Sequence, residues 1–257
     1  MSLDGVRAAY DASVHGWVSG PEAVYERLAT AMLARAPIPV PGTRVLDVGA
    51  GTAVTCRVAL RLGAQVAIAT DVSSAMLGRR DPGLSAAVAD AARLPFADAS
   101  FDLVVAGCCL GHLPDPGQAL REARRVGSGL VASAFAPGWT HPAKSAIDNA
   151  LRGFGYLTPE WYIRLKRDVE PVVDDPDSLA SLAEAAGWTE VAVSVIPVAA
   201  GLETPEQFVD WRFGMAHLAP FVASLAPDRL VQARAVAAAA VVNPPPLEIP
   251  LVVLRAR

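Results

Sequence analysis

The residues of this chain best placed to do chemistry are three aspartates and two glycines, each at the end of a short apolar run. Arg44–Val48 is a β-rich run that enters Gly49-Ala50-Gly51, and the helical spacing of Val54, Val58 and Leu62 begins directly afterwards. A strand that turns through Gly-x-Gly into a helix brings backbone close to a ligand, because glycine has no Cβ and accepts angles that other residues refuse. Many nucleotide-binding folds share such a turn, and two details separate their ligands. A dinucleotide turn needs a third glycine three residues after the second, where this chain has Val54. Asp47 stands two residues before Gly49. A carboxylate aimed into the turn repels a pyrophosphate and favours a cation, such as the amino group of a methionine moiety; otherwise Asp47 ties down the loop.

Asp71 comes 20 residues after Gly51. At the end of a second strand, such a side chain can accept from both ribose hydroxyls; taken alone, it reads as a helix cap or a surface charge. Asp90 closes a third run and can accept from an adenine amino group, or cap its own loop. S-adenosylmethionine (SAM) carries an ammonium, a sulfonium and no phosphate, and it suits this set.

The elements that must position these residues follow from the periodicity. Gln65–Thr70, Ala86–Ala89, Phe101–Ala106 and Leu130–Phe135 read as further strands. Helices are expected between them, at 53–62, from a Ser73 cap to Leu77, and from Asp115-Pro116 to Val126. Strands alternating with helices imply an α/β fold: a Rossmann-like, doubly wound sheet of about seven strands, the last antiparallel. Ahead of it, Pro21–Ala36 is an amphipathic helix with Val24, Leu28 and Met32 on one face. Past Pro137 the pattern changes. Helices are expected over 142–152, 159–167, 178–186 with Asp177 as cap, 205–218 behind a Thr204–Gln207 capping box, and 228–242. Strands are expected at 190–196 and 247–254. The organisation is therefore an N-terminal helical cap (1–40), a core (41–137), and helical lid insertions with strands six and seven (138–257).

Four ordered segments resemble the class I SAM-dependent methyltransferases, specifically the UbiE/methyltransferase type 11 group. They are Val45-Leu46-Asp47-Val48-Gly49-Ala50-Gly51-Thr52, Asp71-Val72-Ser73-Ser74-Ala75-Met76-Leu77, Asp90-Ala91-Ala92-Arg93-Leu94-Pro95-Phe96, and Phe101–Val105 leading to His112-Leu113-Pro114-Asp115-Pro116. The likeness spans roughly residues 40–136. It implies Gly49, Ala50 and Gly51 beside the methionine part of SAM, Asp71 on the ribose, and Val72 or Met76 against adenine. It further implies Asp90 and Ala91 at the adenine edge, backbone near Ala106 and Gly107 facing the amino group, and Tyr10 closing over the cofactor. The chain departs from the pattern at Ala53, often glycine, and at Gly111-His112, frequently a His-His pair.

Methyl transfer from SAM is an in-line displacement with a neutral thioether as leaving group. Positioning the acceptor on the methyl axis therefore supplies much of the rate. A hydroxyl acceptor benefits from a base. His112, just past strand four, is the candidate base, or else a structural histidine. His141, Tyr156, Trp161, Tyr162 and Trp211 are candidates for an acceptor pocket, with Phe208 and His217 behind them, although aromatics at helical spacing are commonly core. Cys108 and Cys109 read as small buried filler rather than nucleophiles.

Composition narrows the function classes. The 257 residues are 53% hydrophobic with a net charge of −4, which disfavours a nucleic-acid partner. No apolar run reaches membrane-spanning length. Cys56, Cys108 and Cys109 lack metal-ligand or disulfide spacing, so no metal is expected and a cytoplasmic setting is. The function that follows is methyl transfer to O, N or C of a small molecule, such as a secondary metabolite, by a monomer or homodimer. A cyclisation or rearrangement on the same fold, or a SAM-binding regulatory module, stand as alternatives.

Overall fold

The computed structural model describes residues 3–257. Two helices open the chain, α1 (Leu3–Ser19) and α2 (Pro21–Leu33), the second started by Pro21 in its first turn. Val24, Leu28 and Met32 of α2 are buried, as their spacing demands. The core then alternates: β1 (Arg44–Val48), α3 (Val54–Arg61), β2 (Val66–Asp71), α4 (Ser74–Leu77), β3 (Ser85–Val88), β4 (Leu103–Gly107), α5 (Pro116–Val126) and β5 (Leu130–Phe135). Ser73 caps α4 by accepting from the Met76 amide, and Asp115 caps α5 through the Gln118 amide. A short 3₁₀ turn, Leu110–His112, follows β4.

The remaining elements are α6 (Pro142–Gly153), α7 (Glu160–Arg164), α8 (Glu170–Val173), α9 (Pro176–Ala185), β6 (Ala192–Ala199), α10 (Pro205–Phe213), α11 (Ala219–Ser224), α12 (Pro227–Ala240) and β7 (Glu248–Ala256). The single helix expected over 159–167 is shorter: a π turn at Leu165–Val169 leads into α8. Pro171 lacks an amide hydrogen and its ring crowds the preceding turn, so a regular helix cannot run through it. Asp177 is not the cap of α9. Asp175 is, accepting from the Ser178 amide at 2.9 Å, because Pro176 occupies the first helical position. The helix expected over 205–218 ends at Phe213, and a separate helix, α11, begins at Ala219. The expected box at Thr204 and Gln207 is present and starts α10.

The seven strands form one sheet in the order β3-β2-β1-β4-β5-β7-β6. β1 to β5 are mutually parallel, and β7 runs antiparallel to both its neighbours. Strand order reverses between β1 and β4, so a crevice opens there at the carboxyl ends. Apolar layers cover both faces. Val45, Leu103 and Val105 pack toward α2 and α3, whereas Leu46, Val104 and Ala106 pack toward α5 and α9. This two-residue alternation explains why the central strands are apolar throughout. α1 packs on α4, α10 and α11, so the chain's first helix and its late helices lie together above the crevice.

Candidate cofactor and acceptor site

The crevice is a cavity walled by the β1 turn, the ends of β2 and β4, and α1 and α2. Gly49 and Gly51 have φ of +68° and +56°, in the left-handed region that favours glycine. A Cβ on Gly49 would lie 2.2 Å from Cys109 Sγ, so this position also excludes a side chain sterically.

Asp71 is held by both oxygens. Oδ2 accepts from the Gly51 amide and Oδ1 from the Ser73 amide, each at 2.8 Å. The carboxylate thus ties the end of β2 to the glycine turn, and the residue lines the cavity. Burial raises its pKa, and the backbone bonds oppose that rise. Asp90 is exposed at the opposite rim and accepts from the Ala92 amide at 2.9 Å. The lining includes Asp71 and Asp90 but no lysine or arginine. A cleft with two carboxylates and no basic clamp suits a cationic adenosyl ligand and opposes a pyrophosphate.

Gly49, Ala50, Gly51, Asp71, Val72, Met76, Asp90, Ala91, Gly107 and Tyr10, expected from the sequence at this site, all line the cavity, as does His112. Two residues do not. Asp47 is 1% exposed and faces α3, where it accepts from Cys56 Sγ at 3.6 Å. Strand alternation puts Asp47 on the same side as Val45, beneath the turn and off its ligand face. Burial pushes its carboxyl up to about 8. Ala106 falls on the α5 side by the same alternation, and Gly107 is the residue that reaches the cleft. Tyr25, Leu28, Ala29, Thr55, Cys108 and Ser133 also line the cavity, although no sequence motif marks them for the site. Tyr25, Leu28 and Ala29 sit at helical i, i+3 and i+4, so the cavity wall overlaps the buried face of α2.

A second cavity of about 350 Å³ adjoins the first. Tyr10, Tyr25 and His112 line both. Tyr10 Oη lies 3.3 Å from His112 Nε2, with the rings edge to face at 5.6 Å. His112 Nδ1 is buried and is the one such side-chain atom, among the described residues, that lacks a hydrogen-bond partner. Burial, aided by the charge of Lys166, lowers His112 to about 4, so it is neutral at physiological pH. A run of aromatic contacts crosses from one cavity to the other: Tyr10 to Trp17, Trp17 to Tyr25, Tyr25 to Phe135, and Phe135 stacked on Trp139 at 5.8 Å.

Of the residues expected in an acceptor pocket, Trp161, Tyr162 and Trp211 line this second cavity. His141 and Tyr156 do not. His141 caps α6, its Nδ1 accepting from the Ala143 amide at 3.2 Å while Nε2 meets the Pro245 carbonyl. Tyr156 is buried behind the wall and donates to the His217 carbonyl at 3.3 Å. His217 lines the cavity, stacked on Tyr162 with ring centroids 3.9 Å apart. Phe208 is core, stacked on His141. Lys144, Lys166, Glu170, Asp174 and Arg212 give the cavity a charged lining that no sequence motif announced. Cys108 and Cys109 are thiols whose pKa burial raises, to about 12 for Cys108, which leaves them protonated and poor nucleophiles.

Among the described residues no helix is long and apolar enough to cross a membrane, and no cluster of three or more His, Cys, Asp or Glu could hold a metal ion.

The family model described as "Methyltransferase domain" matches residues 46–129. A demethylmenaquinone methyltransferase of Streptomyces griseus is 34% identical over 206 residues, covering 74% of this chain and 86% of the relative. A structure described as a methyltransferase from an antibiotic biosynthesis pathway of Anabaena variabilis superposes with a TM-score of 0.62 at 15% identity, over 88% of this chain and 96% of that one. The cyclase SpnF superposes with a TM-score of 0.55 at 20% identity, over 90% and 80% respectively. At these identities the two structures speak to the fold alone.

Proposed function

The chain belongs to the SAM-dependent methyltransferases of the UbiE/type 11 group, and from that premise we propose that it methylates a small aromatic acceptor seated in the second cavity. The observation that carries this reading is the shared boundary. Tyr10, Tyr25 and His112 face the cofactor cleft on one side and the acceptor cavity on the other. A group that lies across this boundary meets both reactants at once, which is what an in-line transfer requires.

SAM, when bound, supplies an electrophilic methyl on a sulfonium whose loss leaves a neutral thioether. The chain's own residues do the rest. Asp71 holds the ribose hydroxyls through the lone pairs that the Gly51 and Ser73 amides leave free. The glycine turn lets backbone approach the methionine part, with Gly107 opposite it. Asp90 and the adjoining backbone take the adenine edge. α1 brings Tyr10 over the mouth, and together with α10 and α11 it acts as a lid that excludes water from the reacting atoms.

His112 acts as the base when the acceptor is a hydroxyl. It lines both cavities and is neutral, so it can accept a hydrogen bond from the acceptor's O–H; burial lowers its pKa to about 4, which makes it a weak base that takes the proton only as the oxygen gains its methyl. Tyr10 fixes the ring from the other nitrogen. A phenol or quinol acceptor matches the aromatic walls, and the Streptomyces griseus relative is named for a quinone, demethylmenaquinone.

The test is incubation of the purified protein with SAM and a panel of phenols and quinols, read by mass spectrometry. The expected result is a product one methyl heavier, formed together with S-adenosylhomocysteine. A product of unchanged mass would place the chain with fold relatives that rearrange their substrates, and no product would remove the aromatic acceptor from the reading.

A further inference from the structure

The charges around the acceptor cavity do not balance locally. Arg212, 2% exposed, is paired bidentately with Asp148, its Nη2 lying 2.7 and 2.8 Å from the two carboxylate oxygens. Lys166 is paired with Glu170 at 2.7 Å. Lys144 has no carboxylate partner within 4.0 Å among the described residues, although Asp148 and Glu170 act on it from farther away. Asp174, the remaining carboxylate in the wall, feels Glu170 and Lys166 and so belongs to their side of the cavity. Lys144 instead lies over Trp139, 5.0 Å from the ring centroid.

His217 adds a donor beside it. Arg212 Nη2 lies 3.3 Å from His217 Nε2, and an arginine can only donate, so Nε2 carries no proton. Burial, with the neighbouring cations Arg212, Lys144 and Lys166, keeps the ring neutral. Its proton is therefore on Nδ1, available to a ligand in the cavity that the ring lines.

We propose that the acceptor cavity selects an aromatic acid, whose carboxylate pairs with the Lys144 ammonium and accepts from the His217 Nδ1–H while its ring lies among Trp139, Trp161 and Trp211. The inference rests on the reading that this cavity holds the acceptor. An unpaired, partly desolvated ammonium is costly to keep beside apolar walls, and an incoming carboxylate removes that cost. A neutral phenol leaves it in place.

The experiment is calorimetric titration, at neutral pH, of the full chain loaded with S-adenosylhomocysteine. The probes are para-hydroxybenzoate and a hydroxynaphthoate, each against its own carboxamide. The acids should bind at least about tenfold more tightly than the amides. Lys144→Met should erase that gap, leave S-adenosylhomocysteine affinity at its wild-type value and leave the melting temperature no lower than wild type, which reports an intact fold. Lys144→Arg should restore part of the gap. Equal binding of acid and amide, or a gap that survives in Lys144→Met, overturns the inference and leaves the acceptor reading standing. If neither acids nor amides bind while S-adenosylhomocysteine does, the acceptor reading itself falls, and the inference with it.

Discussion

Tyr10 Oη lies 3.3 Å from Nε2 of His112, joining the first helix of the chain to the turn after the fourth strand across 102 residues of sequence. The contact spans the boundary between the two cavities, and it occupies one ring nitrogen while leaving the other without a partner. His112→Ala should therefore lower kcat on a hydroxyl acceptor by about 100-fold, the lower range for loss of a positioned base, with SAM affinity little changed. The pH profile gives an independent check. Because His112 is lowered to about 4, its base form is already complete well below neutrality. The rate should show no acidic limb between roughly pH 6 and 8, and a limb near the ordinary histidine value would contradict the assignment.

Asp71 anchors both the glycine turn and the residue that caps α4. Asp71→Asn keeps one acceptor oxygen and loses the charge and the second. Cofactor affinity, measured by calorimetry, should fall at least about tenfold, in line with loss of a charged acceptor to a ligand hydroxyl. Unchanged affinity would defeat the ribose assignment.

Asp71, the glycines and the strand order were legible in the sequence because each depends on residues close together in the chain: a strand, its turn and the next helix. The face of Asp47 is encoded just as locally, since the two-residue alternation that buries Val45 toward α3 carries Asp47 the same way. Lys144, Arg212 and the second cavity were not legible. They lie on helices whose placement over the sheet comes from packing between α1, α6, α10 and α12, and no local spacing encodes that. His141 and Tyr156 show the converse. Both are aromatic and near the site in sequence, and both are spent on structure, one as a helix cap and one as a buried tie to the backbone.

Gly49→Ala joins two penalties. The position has φ of +68°, and the new Cβ would meet Cys109 Sγ at 2.2 Å. The backbone term alone is about 1–3 kcal/mol. The variant should melt lower and bind SAM weakly. Adding Cys109→Gly removes the sulfur but not the backbone strain, so the double variant should recover only part of the loss. Full recovery would mean that the clash, and not the left-handed backbone, sets the requirement for glycine.

The buried acid Asp47 makes a prediction about stability. Burial, with the nearby charge of Asp71, pushes its pKa to about 8, well above that of an unfolded aspartate. Between those two values the folded chain binds a proton that the unfolded chain does not, so stability falls as pH rises, by at most about 1.4 kcal/mol per pH unit. Denaturant titrations from roughly pH 5 to 8 should show this decline, and Asp47→Asn, neutral throughout, should flatten it. An identical slope in the two proteins would mean that Asp47 is ionised in the fold.

The pair of Arg212 and Asp148 separates structure from chemistry at the acceptor cavity. Arg212 is 2% exposed and its guanidinium holds both Asp148 oxygens. Arg212→Met leaves the Asp148 carboxylate without its partner; that side chain is 22% exposed and regains some hydration, so the cost should fall below the about 3–5 kcal/mol of a fully buried pair. Replacing both, as in Arg212→Met with Asp148→Leu, removes the orphaned charge and should return most of the stability, because an apolar pair of similar volume is often neutral to the fold. The double variant should nonetheless remain impaired toward its acceptor, since His217 loses the donor that keeps its Nε2 unprotonated. Chemical denaturation measures the first effect and steady-state kinetics the second. If stability and KM recover together in the double variant, Arg212 serves the fold alone and places nothing in the cavity.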